Sequence, residues 1–442
     1  MKKIGLLLFF APLFGSYAPP GTPFTKEEKP PNIIIIMADD LGYHDLGCYG
    51  NTQIKTPNID RLASLGMRFT DYHSNGVVCS PTRAALMTGN YQQRSGIESV
   101  VSVKNNRNTG LSPDQFTIAD YLKTRQYQTG IIGKWHLGYD TLHSPLNNGF
   151  DDFRGFTSGN IDYHSHIDGA GIYDWWLDKD TVTEKGYSTD LITRAALGFI
   201  EKYQQHPFFL YVAHEAPHFP LQGRMDPPVR GINAQDQEII TSADSLRRYR
   251  EMIEAMDEGV GLIMQTLKKN KLLENTLVFF CSDNGAIKPG SNFPLNGYKG
   301  NVWEGGHRVP AIAYWKDKIT PGVTDQTVMS MDIFPTIMDL VNYNTNEQSR
   351  LDGHSFLPLL KDPSARMEER PLFWRYGKDK QAVRQGKWKL IHFKKEVYLY
   401  DLSSDPGEKN NLQGSFPQTA ENLEKQLMSW LQEMSPYPVL TN

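Results

Sequence analysis

The chain has 442 residues, with 46 Lys+Arg against 50 Asp+Glu and 39% hydrophobic residues. That length can bury a large core without disulfide staples, and a net charge of −4 gives no basic footprint for nucleic acid. Its 37 glycines and 27 prolines fit a loop-rich enzyme and exclude collagen and low-complexity disorder.

Lys2 and Lys3 precede an apolar run, Ile4–Phe14, and Ser16 and Ala18 offer the small residues of a cleavage site. This layout predicts a secretory signal peptide over residues 1–18, too short in its apolar part to cross a bilayer. No cysteine follows the run, so no lipid anchor is expected there. The expected chain is exported, periplasmic or secreted, without a transmembrane anchor. Residues 19–31, rich in Pro, Gly, Lys and Glu, read as a loose leader.

Asn32-Ile33-Ile34-Ile35-Ile36-Met37 is a β-branched run without polar alternation, as expected of a strand buried on both faces. Short apolar runs recur at Gly130–Ile132, Phe208–Val212 and Leu277–Phe280, with helical patterns at Pro57–Leu65, Ile118–Thr124, Thr189–Gln204 and Tyr249–Lys268. The alternation predicts an α/β/α sandwich around a large, mostly parallel sheet. Beyond residue 350 the pattern changes. Phe373–Arg375, Gln381–Arg384, Trp388–Ile391 and Val397–Tyr400 read as a small antiparallel meander, followed by an amphipathic helix near Thr419–Glu433. The expected division is a catalytic domain over 19–350 and a C-terminal subdomain over 351–442.

Two buried strands end in polar clusters, Asp39-Asp40 and Asp283-Asn284, where open α/β sheets bind ligands. Three carboxylates and an amide make an all-oxygen set suited to a hard cation, calcium or magnesium; zinc would usually recruit His or Cys. Helix capping by Asp39 and Asp283 is the plainer alternative.

Three cysteines is an odd number for an exported chain, so at least one stays unpaired. Cys281 ends an apolar run and reads as a small buried hydrophobe; Cys48, in a Gly-rich loop, could pair. Cys79 opens Cys79-Ser80-Pro81-Thr82-Arg83-Ala84-Ala85-Leu86-Met87-Thr88-Gly89. Pro81 and Gly89 suit a helix start and end, so Cys79 falls at a helix N-terminus, where the dipole favours negative charge. Arg83, four residues on, returns to the same face. By spacing alone this is equally an exposed thiol.

The Cys79–Gly89 segment resembles the maturation signature of the type I sulfatases. The resemblance extends through Ala38–Gly42, Thr56–Asp60, Gly133–Gly138, Ala216–His218, Ser282–Gly285, Glu304–Pro310 and the C-terminal Leu399–Leu402 with Asp405–Glu408. His44 and His307 depart from the pattern and receive no role. The resemblance implies an alkaline-phosphatase-like fold and one Ca²⁺ held by Asp39, Asp40, Asp283, Asn284 and the modified Cys79. It implies that a formylglycine-generating enzyme reads Cys-x-Pro-x-Arg and oxidises Cys79 to Cα-formylglycine. The hydrated aldehyde would attack sulfur, and its second hydroxyl would then expel sulfate.

Lys134 and His136, two apart, would point to one side of an extended segment, and Lys299 lies among glycines that permit close approach. With the metal, these cations can neutralise sulfate oxygens. By resemblance, His218 protonates the leaving oxygen and His136 removes the diol proton; Arg83 belongs to the same catalytic set. His214 is left as a neighbouring or substrate-facing residue.

The insert from Asp162 to Asp178 carries His164, His166, Tyr173, Trp175 and Trp176, suited equally to stacking on sugar rings and to packing. The expected substrate is a sulfated carbohydrate, a glycosaminoglycan or related glycan. The alternatives are a formylglycine-dependent phosphonate or phosphate ester hydrolase and a non-catalytic sulfated-glycan-binding protein.

Overall fold

The isoleucine run forms β1 (Asn32–Ala38), in which every residue is buried. A strand whose neighbours cover both faces can carry apolar residues at every position. In the computed structural model, which describes residues 29–232, 244–341 and 351–436, β1 is the middle of the molecule. The expected signal peptide (1–18) and most of the leader lie outside the described residues.

The next strands are β2 (Met67–Phe69), β3 (Tyr72–His73), β4 (Gln128–Lys134), β5 (Asp152–Phe156), β6 (Trp176–Leu177), β7 (Asp180–Thr181), β8 (Phe208–Ala213) and β9 (Thr276–Ser282). They are followed by β10 (Ala311–Tyr314), β11 (Gly322–Thr324), β12 (Val328–Met329), β13 (Leu372–Arg375), β14 (Lys380–Gln385), β15 (Trp388–Phe393) and β16 (Glu396–Asp401). The helices are α1 (Pro57–Leu65), α2 (Cys79–Thr88), α3 (Ile118–Thr124), α4 (Ser188–Lys202), α5 (Ser245–Lys269), α6 (Glu304–His307), α7 (Ile333–Leu340), α8 (Leu357–Lys361) and α9 (Pro417–Met434).

Among the described residues the large sheet has ten strands in the order β11-β2-β10-β9-β1-β8-β4-β5-β6-β7. Its centre, β9-β1-β8-β4-β5, is parallel; β10 and β6–β7 add antiparallel flanks. Because strand side chains alternate between faces, Ile33, Ile35 and Met37 pack with Ala84, Leu86 and Met87 of α2 and with α3 and α7. Ile34 and Ile36 pack on the other face with Leu62 of α1, Ile192 of α4 and Ile253 of α5. Each such buried aliphatic side chain contributes about 1.5–3 kcal/mol, and the result is the expected α/β/α sandwich.

The antiparallel meander also forms, as β13-β14-β15-β16, with α9 opened by Pro417 at its first turn. Trp374, Leu390 and Leu399 pack with Leu427 and Trp430 of α9, and the same core takes in Val77, Ala85, Met329 and Met331. The small sheet is therefore packed against the segment and helix that carry Cys79. Ion pairs reinforce the junction: Arg384 to Asp71 at 2.6 Å, and Arg375 Nε to Glu98 at 2.6 Å.

Candidate active site

The site stands at the carboxyl ends of the central strands, the ligand crevice of an open α/β sheet. Asp39 and Asp40 follow β1, Asp283 and Asn284 follow β9, Lys134 closes β4, and His214 and His218 follow β8. Backbone bonds carry the strand register into these loops: His214 N donates to Met37 O (2.9 Å), Asp39 N to Ala216 O (3.1 Å), and Asp283 N to Ala38 O (3.2 Å). Asp40 then turns left-handed, at φ 63°.

Cys79 Sγ lies 3.4 Å from Asp39 Oδ1 and 3.3 Å from Lys299 Nζ. Lys134 Nζ donates to Asp39 Oδ2 at 2.5 Å, and Lys299 Nζ to Asp40 Oδ1 at 2.6 Å. Arg83 grips Asp283 Oδ2 through Nε (3.2 Å) and Nη2 (2.9 Å). Its Nη1 reaches Lys134 O and the Tyr211 hydroxyl. Asn284 Nδ2 donates to Asp40 Oδ1 at 2.7 Å. Every residue predicted for catalysis or metal binding from Asp39 to Asn284 and Lys299 is thus drawn to one cluster, with His136 at its edge.

The exposed-thiol reading of Cys79 fails. All ten residues of α2 are buried, because α2 packs on the large sheet through one face and on the C-terminal core through Ala85. Burial and then Asp39 push the Cys79 thiol up to about 12, against the pull of Lys134 and Lys299. The helix N-terminus does not make an unmodified thiolate here. Burial would raise the Asp40 carboxyl, but Lys299 and His218 outweigh it and hold it at about 2.

The extended-segment argument holds for Lys134 but not for His136, which lies beyond β4 with φ 56°. His136 Nε2 sits 3.1 Å from Val101 O, so Nε2 carries the proton and Nδ1 is an acceptor; buried Nδ1 has no hydrogen-bond partner among the described residues. Burial, then Lys134 and Arg83, hold this ring well below the usual histidine range and keep it neutral. His218 has the opposite tautomer: Nδ1 faces Phe219 O at 2.7 Å, leaving Nε2 3.6 Å from Asp40 Oδ2. Burial and Lys299 lower it to about 3.

The donor set fits a hard cation. Asp40 Oδ2 and Asn284 Oδ1 are buried acceptors without a hydrogen-bond partner among the described residues, a costly state unless a cation completes it. Ligand atoms of Asp39, Asp40, Cys79 and His218 lie within 4.8 Å of one another. A second group of this kind, His73, Glu304 and His307, already holds a cation of the chain: Lys389 Nζ is 2.9 Å from Glu304 Oε1, 2.8 Å from Glu408 Oε1 and 3.1 Å from His307 Nε2. His307, unassigned from sequence, therefore pairs with His73 (Nδ1 to Nδ1, 2.9 Å) in a buried junction beneath the Cys79 segment.

His214 is buried without a ring partner among the described residues, and burial lowers it to about 4. His44 meets the exposed Phe293 edge-on at 5.4 Å. In the aromatic insert, packing prevails: Trp175 is fully buried, stacks on His166 at 4.8 Å and donates to Glu184. Tyr173 donates to Val182 O, Trp176 to Asp174, and His164 faces Gly223 O. All three cysteines are free, so the possible Cys48 bridge does not form. Sequence reasoning missed Tyr211, whose one polar atom in an apolar strand was the available signal, and Ser80, whose Oγ accepts from Val101 N at 3.0 Å.

This sheet, its strand-end acidic cluster and the C-terminal meander define a hydrolase of the alkaline-phosphatase-like class. The Sulfatase family model matches residues 31–343, and the N-sulphoglucosamine sulphohydrolase C-terminal model matches 298–436. The chain belongs to the sulfatase family and is a sulfuric ester hydrolase. It is 33% identical over 391 residues to N-acetylgalactosamine-6-sulfatase of Canis lupus familiaris, covering 83% of this chain and 72% of that one. It is 33% identical over 446 residues to arylsulfatase A of Homo sapiens, covering 87% and 84%. Among solved structures, that of Ps i-CgsB in complex with k-i-k-neocarrahexaose superposes with a TM-score of 0.82 at 32% identity, covering 91% of this chain and 93% of that one.

Proposed function

We propose that this sulfatase cleaves a sulfate ester on a sulfated carbohydrate, using Cys79 as Cα-formylglycine and one Ca²⁺ held by Asp39, Asp40, Asp283 and Asn284 with the modified residue 79. The observation that carries the reaction is the position of Cys79, buried between Asp39 and Lys299 at the start of α2. When formed and loaded, the modified residue and the cation supply a hydrated aldehyde as nucleophile and a Lewis acid that lowers its pKa.

The chain's own groups supply the rest. Arg83 fixes Asp283 and Lys134 O, which holds two strand ends at a set separation. Lys134 and Lys299 present ammonium groups to sulfate oxygens in a water-poor site, where such contacts are strong. His136 Nδ1, an acceptor with no hydrogen-bond partner among the described residues on a neutral ring, accepts a proton from residue 79. His218 Nε2 faces the same space; a sulfate held between the two lysines opposes their charge, makes proton uptake there easier and lets Nε2 protonate the leaving oxygen.

The carbohydrate reading is supported by relatives above 30% identity, among them a sulfatase of N-acetylgalactosamine and the neocarrahexaose complex. Maturation by a formylglycine-generating enzyme, export through a signal peptide over 1–18 to the periplasm or medium, and division at 350/351 complete the proposal. Among the described residues no helix is long and apolar enough to cross a membrane.

Two measurements test it. The mass of the Cys79 peptide falls if formylglycine forms; a retained thiol in active enzyme overturns the nucleophile. Comparing kcat/KM on defined sulfated saccharides and an aryl sulfate tests the substrate, since contacts away from sulfur align the ester. An aryl ester preferred over every saccharide overturns the glycan reading.

A further inference from the structure

One loop is fastened to the reaction centre at three points and carries two exposed cationic side chains. Val101 N donates to Oγ of Ser80, the neighbour of Cys79, and Val101 O accepts from His136 Nε2 (3.1 Å) and the Tyr139 hydroxyl (2.6 Å). Before it, Glu98 pairs with Arg375 of β13; after it, Leu111 N donates to Leu137 O at 2.7 Å. Between these anchors residues 102–109 fold on themselves. Asn106 N donates to Ser102 O (3.0 Å), Thr109 N to Asn106 O (3.1 Å), and the amides of Lys104 and Asn105 to Ser102 Oγ. The loop is thus ordered by its own hydrogen bonds.

Its exposed side chains include Lys104 and Arg107, and neither forms an ion pair among the described residues. Arg107 lies over the Tyr139 ring, 5.6 Å from its centroid, and Tyr139 is the residue that holds Val101. Lys104 is three positions on from Val101, so its Cα lies at most ~10 Å from that anchor. Arg107 also acts electrostatically on the buried Asp168 carboxylate. In a chain of net charge −4, the loop still presents two exposed cations next to the backbone that holds Ser80 and His136. A lysine ammonium and a ring-supported guanidinium suit a tetrahedral oxyanion approached from outside.

We propose that Lys104 and Arg107 form a second sulfate-binding subsite, which takes a sulfate on a sugar adjoining the one whose ester is cleaved. The enzyme then selects oligosaccharides bearing more than one sulfate. The proposal rests on the carbohydrate reading above and deepens it.

The test is equilibrium binding by calorimetry, which needs no turnover. The probes are a multiply sulfated, carboxylate-free galactan tetrasaccharide, its singly sulfated counterpart, and inorganic sulfate. The wild-type enzyme is expected to bind the first at least about tenfold more tightly than the second, as for one charge-assisted contact. The advantage should shrink as salt rises. In the Lys104→Ala/Arg107→Ala variant the advantage falls to about twofold or less, while inorganic sulfate binding, which reports the buried site, is unchanged. An advantage that survives the double substitution, a wild-type enzyme without one, or an equal loss for all three probes overturns the proposal. Failure of the sulfatase reading would show separately, as absent sulfate release.

Discussion

Lys389 provides the sharpest test of how the two sheets are joined. Its ammonium is fully buried between Glu304, Glu408 and His307. Lys389→Met keeps most of the stem volume and removes only the charge. Glu408 is then left without its cation, while Glu304 keeps Arg308 at 3.4 Å and Arg384 at 3.5 Å; breaking a buried pair in this way costs about 3–5 kcal/mol. The loss depends on pH, with a sign that can be worked out. Burial and Glu304 raise Glu408 from 4.5 to about 7 against the pull of Lys389. Burial would raise Glu304 too, but Lys389 and His73 hold it well below its usual range. A raised folded pKa means the folded state binds the extra proton, so this contribution is complete below 4.5 and fades as pH rises through about 7. Without Lys389 both carboxylates shift further upward, and protons replace the ammonium progressively as the pH falls. The variant should therefore be most destabilised at alkaline pH and recover toward wild type on acidification. Denaturant unfolding followed by tryptophan fluorescence, to which Trp374, stacked on His307 at 4.1 Å, contributes, measures the loss. A loss below about 1 kcal/mol at high pH, where exposed pairs fall, or a loss that grows on acidification, would refute the reasoning.

Cys79→Ala should abolish sulfate release while costing only about 1 kcal/mol, since one sulfur leaves a small cavity in a buried helix start. Cys79→Ser should fail as well in a host that does not oxidise serine, because a plain hydroxyl cannot form the hydrated aldehyde; release by the folded Cys79→Ala variant contradicts the proposed nucleophile. Chelation should lower the melting temperature and calcium should restore it, because Asp39, Asp40 and Asp283 are packed together in burial. Stoichiometric zinc in elemental analysis would overturn the calcium assignment.

The fold was legible where one physical rule dominates. A run such as Ile33–Ile36 has no exposed face in any arrangement, so a doubly covered strand follows. The meander was equally readable from its turns and alternation, and α5 runs Ser245–Lys269 where Tyr249–Lys268 was expected. The strand-end carboxylates were legible because parallel strands place their carboxyl ends on one side. Burial of charged residues was not legible. Cys79 reads as exposed at a helix start because nothing local says that the C-terminal core closes over α2. His136 was placed by an extended geometry that ends two residues earlier, at Lys134. His73, Glu304, His307 and Lys389 lie far apart in the chain, so no spacing rule joins them. Trp175 resembles a sugar platform in composition, and only tertiary packing shows its ring against His166.

The charges of the site suggest why binding of the cation and of sulfate should be linked. Asp39, Asp40 and Asp283 face Arg83, Lys134 and Lys299, three acids against three bases, all within one buried cluster. Formally these side chains cancel, so the cluster alone offers an anion little net attraction. It is a dication on the acidic side that would leave the lysines with surplus positive charge, little screened because the three aspartates, Arg83 and Lys134 are buried. Affinity for inorganic sulfate should then fall when the enzyme is chelated, and calcium should bind more tightly when sulfate is present. Linkage requires the two factors to be equal. Sulfate affinity indifferent to chelation would mean that Lys134, Lys299 and Arg83 hold the anion unaided, and that the carboxylates do not serve to couple the two ions.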